Sequence, residues 1–230
     1  MIDREKMRDI IGILMECSLF EGIAEQDLQS ILSCLQAKIE EYEKNEHIYI
    51  MGQSITQVGI VVSGSARIEK LDCWGNRSIL TKITAGEMFG EALSCASVSR
   101  SPINVAASEK TKVLFIDYYK IISTCSSACA FHTALIENML KILAEKNIML
   151  TNKIEHLTRR STREKLLSYL SSTALKAGGK SFEIPLNRQE LADYLAVDRS
   201  AMSHELGKMQ AEGILEFNKS HFVLHDFEID

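Results

Sequence analysis

Near the C-terminus Arg199, Ser200, Ser203, His204 and Lys208 recur at spacings that put them on one face of a helix. Such a face suits a nucleic-acid duplex. Arg199 can give a bidentate pair of hydrogen bonds to guanine, and the serines and His204 suit base edges or phosphates. Lys208, a turn further along, is better placed for a phosphate. A second group has softer donors: Cys125, Cys129 and His132 would share a helical face, and at that spacing thiols and imidazole can hold zinc, copper or part of an iron cluster. The plainer reading of that group is buried thiols beside a histidine that starts a helix. No G-x-S-x-G, Walker loop, H-E-x-x-H or supported carboxylate pair occurs, so the chain carries no recognisable catalytic constellation.

The polar face needs elements to carry it. Asn187 and Glu190 form a capping-box pattern that opens a helix running to about Leu195. Ala196, Val197 and Asp198 make a short turn into a second helix, capped by Asp198, with Met202, Leu206 and Met209 inward. Small Ala192 lets the two helices cross closely, as a helix-turn-helix requires. Beyond Gly213 the apolar runs Ile214 to Phe217 and Phe222 to Leu224 flank Asn218, Lys219, Ser220 and His221, the pattern of a hairpin wing. The competing reading is an ordinary helical hairpin with a solvated polar face.

Upstream, Ile136, Leu140, Leu143, Asn147, Leu150, Ile154 and Leu157 alternate in steps of four and three. With Leu140, Asn147 and Ile154 at a, and the others at d, the seam predicts a parallel two-stranded coiled coil in which Asn147 meets its symmetry mate and fixes register. A helix packed on its own subunit is the alternative. A second stripe, Phe131, Leu135, Ile142 and Met149, would face a β-rich domain. That domain is read from β-branched runs (His47 to Ile50, Val58 to Val62, Ala66 to Leu71, Ile79 to Ile83, Val105 to Ala107, Val113 to Ile116) punctuated by Gly52, Gly64, Gly75 and Gly86, preceded by a short helix over Glu25 to Cys34.

The 230 residues therefore predict an α+β chain: helices and a β-roll (jelly roll) over 1–128, a dimerisation helix over 129–158, and a winged helix-turn-helix over 159–230. A net charge of −5 gives no global nucleic-acid signal, so duplex contact must come from a local surface. Six scattered cysteines read as reduced thiols, and the charged N-terminus lacks a signal or membrane segment. Both place the chain in the cytoplasm, away from membranes.

Taken together, Arg188-Gln189-Glu190-Leu191-Ala192, Arg199-Ser200-Ala201-Met202-Ser203-His204 and the glycine-spaced roll ending in Gly86-Glu87-Met88-Phe89-Gly90-Glu91 resemble the Crp/Fnr family of transcription regulators, over nearly the whole chain. The resemblance implies a homodimer on a near-palindromic operator in double-stranded DNA, with Arg188, Gln189 and Lys219 joining the recognition helix at the duplex, and contact with RNA polymerase if the chain is an activator. It also implies control by a signal at the roll. In cyclic-nucleotide-binding members a Gly-Glu turn and a following Arg-Ser pair hold the ligand's ribose and phosphate, and here Gly90, Glu91, Arg100 and Ser101 match in type. Leu150 stands at the long-helix position that meets the base, with Thr151 beside it. The loop is one residue shorter and Pro102 replaces Ala. The closely spaced N-terminal cysteines that hold an iron–sulfur cluster in some members are missing. Ser200 and His204 stand where the family often has Glu and Arg, so the operator should differ from the usual half-site. Two alternatives stay open: a cyclic-nucleotide-binding allosteric module without DNA binding, and a redox- or metal-sensing regulator using Cys125, Cys129 and His132.

Overall fold

The computed structural model of the chain describes residues 4–71, 74, 77–123 and 130–225. Cys73, Gly75, Cys125 and Cys129 lie outside the described residues. The chain divides into two compact units, Met1–Ala144 and Glu145–Asp230.

The first unit opens with α1 (Arg4–Glu16), a 3-10 turn over Ser18–Phe20 and α2 (Glu25–Cys34). Strands β1 (Lys38–Tyr42), β2 (His47–Tyr49), β3 (Gln57–Ser63), β4 (Ser65–Leu71), β5 (Arg77–Thr84) and β6 (Met88–Phe89) follow, then α3 (Glu91–Cys95), β7 (Asn104–Ala107), β8 (Thr111–Asp117) and α4 (Tyr118–Ile122). Among the described residues the strands form two antiparallel sheets, ordered β1-β8-β3-β6 and β2-β7-β4-β5. The alternation of side chains along β3 and β8 explains why both strands are apolar through their middles, Val58 to Val62 and Val113 to Ile116. Val61, Val113 and Phe115 point into the core between the sheets with Tyr49 and Phe89. Val58, Ile60, Val62, Leu114 and Ile116 point the other way, against Leu14, Leu19, Phe20 and Leu28 of the N-terminal helical segment. A strand covered on both faces needs no polar side.

Helix α5 (Ala130–Thr158) begins in the first unit and ends in the second. Leu135, Met139 and Ile142 are buried in the helical side of the first core. Asn138 donates to the carbonyls of Leu19 (3.0 Å) and Glu21 (2.9 Å), and Lys141 pairs with Glu21 at 2.7 Å. Sequence spacing put Met149 in this stripe. The structure instead leaves Met149 57% exposed and gives the buried position to Met139, which lies four residues from Leu135 and three from Ile142.

The second unit continues with α6 (Thr162–Ala177), β9 (Ser181–Glu183), α7 (Arg188–Leu195), α8 (Arg199–Ala211), β10 (Leu215–Asn218) and β11 (His221–Leu224). Its core gathers Leu166 and Leu170 from α6, Leu191 and Leu195 from α7, Met202, Leu206 and Met209 from α8, and Leu215 and Phe222 from the hairpin, all fully buried. Burial of each such side chain contributes about 1.5–3 kcal/mol. β11 pairs with β10 on one side and β9 on the other, in the order β10-β11-β9. Among the described residues no helix is long and apolar enough to cross a membrane.

Candidate nucleic-acid interface

The two interface helices start on side-chain caps. Asn187 Oδ1 accepts from the Gln189 and Glu190 amides at 2.9 and 3.0 Å, and the Asn187 amide donates to Glu190 Oε2 at 2.7 Å, closing the reciprocal box. The chain leaves α7 through Ala196 in the left-handed region (φ 49°). Asp198 then caps α8, accepting from the Ala201 amide at 2.8 Å and from the Ser200 hydroxyl. These bonds hold the Asp198 carboxyl below its ordinary pKa, the Ser200 hydroxyl being the largest cause.

With Met202, Leu206 and Met209 inward, α8 turns Arg199, Ser200, Ser203, His204 and Lys208 to solvent. Their availability differs. Arg199 and His204 are exposed. The Ser200 hydroxyl proton is used by Asp198, and the Ser203 hydroxyl donates to the Arg199 carbonyl at 2.9 Å. Both serines keep lone pairs to offer a duplex, but not a free proton. Lys208 lies 3.9 Å from Glu205, a loose surface pair. Gln189, exposed on α7, donates to Asp193 at 2.9 Å. Lys219 sits at the tip of the β10–β11 hairpin with φ 53°.

Arg188, expected at the duplex, packs against the wing in the chain without DNA. Its guanidinium carbon lies 4.7 Å from the Phe217 ring centre and 5.0 Å from that of Phe222. Its Nη2 is buried without a hydrogen-bond partner among the described residues, and burial lowers its pKa. The aromatic pair that captures the side chain lies a whole helix and hairpin away in sequence.

Two cations that sequence reasoning missed hold this interface from behind. Arg163 on α6 makes a two-pronged pair with Glu212 just past α8, and lies 3.6 Å from Glu205. Lys165 donates to the last carbonyls of α7. A basic residue in the first turn of α6, where helix geometry favours acids, was the available signal.

At the end of α5, His156 is 4% exposed. Its Nδ1 is 2.8 Å from Ser168 Oγ, and its ring stands edge-on to Tyr169. Lys153 lies 4.8 Å over the Tyr194 ring, so α5 grips α6 and α7 through two of its side chains. A cavity of about 470 Å³ beside this contact is lined by His156, Arg159, Ser168, Ser171 and Leu175, among others.

In the roll, Gly90 takes φ 81° as the N-cap of α3, where a Cβ would come within 2.8 Å of the Tyr49 ring. Glu91 and Ser101 are buried and Arg100 is exposed. Ser101 exchanges backbone bonds with Gln53 and Gly52, both 2.8 Å, and its hydroxyl donates to the Ile103 carbonyl at 2.8 Å. Thr151 is exposed on the part of α5 that belongs to the second unit. Of the soft-donor group, His132 is buried and its Nδ1 has no hydrogen-bond partner among the described residues. Among those residues no three His, Cys, Asp or Glu side chains are grouped for a metal.

A double-sheet roll followed by a capped helix-turn-helix with a wing defines a DNA-binding transcription regulator with a sensing domain. Residues 39–127 match the cyclic nucleotide-binding domain family, and residues 164–228 match the Crp-like helix-turn-helix domain family. The chain belongs to the Crp/Fnr family of transcription regulators. It is similar to the cyclic AMP receptor protein of Thermus thermophilus, 24% identical over 200 residues that span 86% of this chain and 87% of that one. A shorter stretch of 81 residues, 31% of this chain, is 32% identical to 33% of the transcriptional activator protein FnrL of Cereibacter sphaeroides. The fold is shared with a CooA mutant from Carboxydothermus hydrogenoformans, at a TM-score of 0.53 and 23% identity over 84% of this chain and 86% of that one.

Proposed function

We propose that the chain works as a homodimer zipped along α5, setting two α8 helices into successive major grooves about 34 Å apart on a near-palindromic operator. The observation that carries this reading is apolar exposure. Leu140, Leu150 and Ile154 are 62%, 54% and 60% exposed along α5, while Leu135, Met139 and Ile142 on the same helix are buried. A long helix that has already buried one face and still presents large aliphatic side chains on another is built to meet a partner. Ile136, Leu143 and Leu157, each half-buried, complete the seam, and exposed Asn147 supplies its polar register point.

In this arrangement Arg199 and His204 read base edges, Ser200 and Ser203 accept or pack, and Gln189, Lys208 and Lys219 meet phosphates. The signal enters at the Gly90–Ser101 turn. Buried Glu91 and Ser101 with exposed Arg100 suit a ligand with a sugar hydroxyl and a phosphate, of which a cyclic nucleotide is the natural case. A shift in roll occupancy would act on operator affinity by about 1–3 kcal/mol. A second reading, a redox or metal sensor on Cys125, Cys129 and His132, is favoured by the buried Nδ1 of His132, which has no partner among the described residues. The chain would act in the cytoplasm as an activator that contacts RNA polymerase, in keeping with its likeness to an activator.

Sedimentation tests the dimer: wild type should run as a dimer, and Leu150→Glu combined with Ile154→Glu should give monomers that lose operator binding. Wild-type monomers, with or without duplex, would contradict it. Calorimetry with cyclic AMP and cyclic GMP, beside metal analysis after anaerobic purification, separates the two signals.

A further inference from the structure

Arg188 occupies the first position of α7, where the helix dipole disfavours a cation. Among the described residues no carboxylate pairs with it, and its Nη2 is buried with no hydrogen-bond partner. The groups that receive it are the rings of Phe217 and Phe222, at 4.7 and 5.0 Å. Those rings belong to residues paired directly across β10 and β11, and the next pair outward, Asn218 with His221, closes the hairpin whose tip is Lys219. Phe222 is fully buried, so the hairpin's inner end is fixed in the core. Arg188 touches the last aromatic pair before the tip leaves the core.

We propose that Arg188 is a positioning residue: its guanidinium, stacked on the Phe217–Phe222 pair, ties the wing to the first helix of the reading unit and so sets where Lys219 meets the duplex. The proposal deepens the duplex-binding reading above and rests on its assignment of Lys219 to a phosphate. It assigns Arg188 no phosphate of its own. Ring quadrupoles attract the cation without the directional demand of a carboxylate, which is how a guanidinium nitrogen can stay dry and unpaired.

Two variants separate stacking from charge. Arg188→Met keeps a flexible, polarisable chain on the rings, while Arg188→Ala removes the contact. Hydrogen exchange on the full-length protein without DNA should show the amides of residues 217–222 less protected in Arg188→Ala and protected as in wild type in Arg188→Met. Equal protection in all three overturns the clamp. Binding is then measured to a duplex selected by the wild type from a randomised pool, over about 50–200 mM salt. Arg188→Met should bind within about twofold of wild type with an unchanged salt slope, and Arg188→Ala about three- to tenfold more weakly. In a Lys219→Ala background, Arg188→Ala should add less than about twofold, because the group it positions is gone. A salt slope lower by about one in Arg188→Met, with a deficit that persists beside Lys219→Ala, would make Arg188 a direct phosphate contact and overturn the proposal. Failure of the wild type to select any duplex would sink the reading of Lys219 and with it this proposal, whatever the exchange data show of the contact itself.

Discussion

The Lys165 ammonium on α6 donates to the Leu195 carbonyl at 3.1 Å and reaches the Ala196 carbonyl at 3.4 Å. The last carbonyls of a helix have no intrahelical donors and carry the negative end of its dipole, so a cation there both satisfies and stabilises them. The contact also steadies a turn that takes the left-handed conformation without a glycine. Lys165→Met should therefore destabilise the helix-turn-helix by about 1 kcal/mol, read as a lower urea midpoint for the full chain. An unchanged midpoint would reduce the contact to a surface coincidence.

His156 gives the second unit a pH dependence. Burial, the largest cause, holds its pKa below the ordinary 6.5, with Lys176 and Arg159 acting the same way and Glu155 opposing. The unfolded ring takes up a proton first as pH falls, so the stability contributed by the neutral folded ring is complete above about pH 6.5 and lost below it, toward the folded pKa. Thermal unfolding of wild type between about pH 7.5 and 5.5 should show a falling midpoint, and His156→Gln, which can still reach Ser168, should flatten that slope. Parallel slopes would show that the ring's charge state is unimportant.

Gly90 is required by both its backbone and its neighbours. Gly90→Ala would hold alanine at φ 81° with a Cβ 2.8 Å from the Tyr49 ring. Such strain costs about 1–3 kcal/mol, so the roll should unfold at lower temperature. Gly179→Ala, which meets nothing closer than 4.0 Å and has no positive φ, is the control and should change little.

The features legible in the sequence are those set by short-range pattern. The helix Glu25–Cys34 and the Asn187–Glu190 box depend on residues three or four apart, and the structure has both. The hairpin after Gly213 was legible because its apolar runs flank a polar tip. The bounds of helix α1 were not legible, because its charged opening masked Ile10 and Leu14, which the structure buries. Strand β1, Lys38–Tyr42, carries three charged residues and lies half exposed at a sheet edge, so it gave no alternating signal. Arg188 on Phe217 and Phe222, Lys165 on Leu195 and Arg163 on Glu212 join residues about thirty or more apart, and spacing is silent at that range. Composition gave a duplex-binding chain a net charge of −5. Exposed Arg199, His204, Lys208 and Lys219 in the second unit show how a local surface can be basic inside an acidic whole.

Arg199→Ala measures directly whether α8 reads bases. On a duplex selected by the wild type, the variant should lose about tenfold to a hundredfold in affinity and relax its preference at one base pair per half-site. Equal affinity and an unaltered sequence preference would contradict base reading by α8.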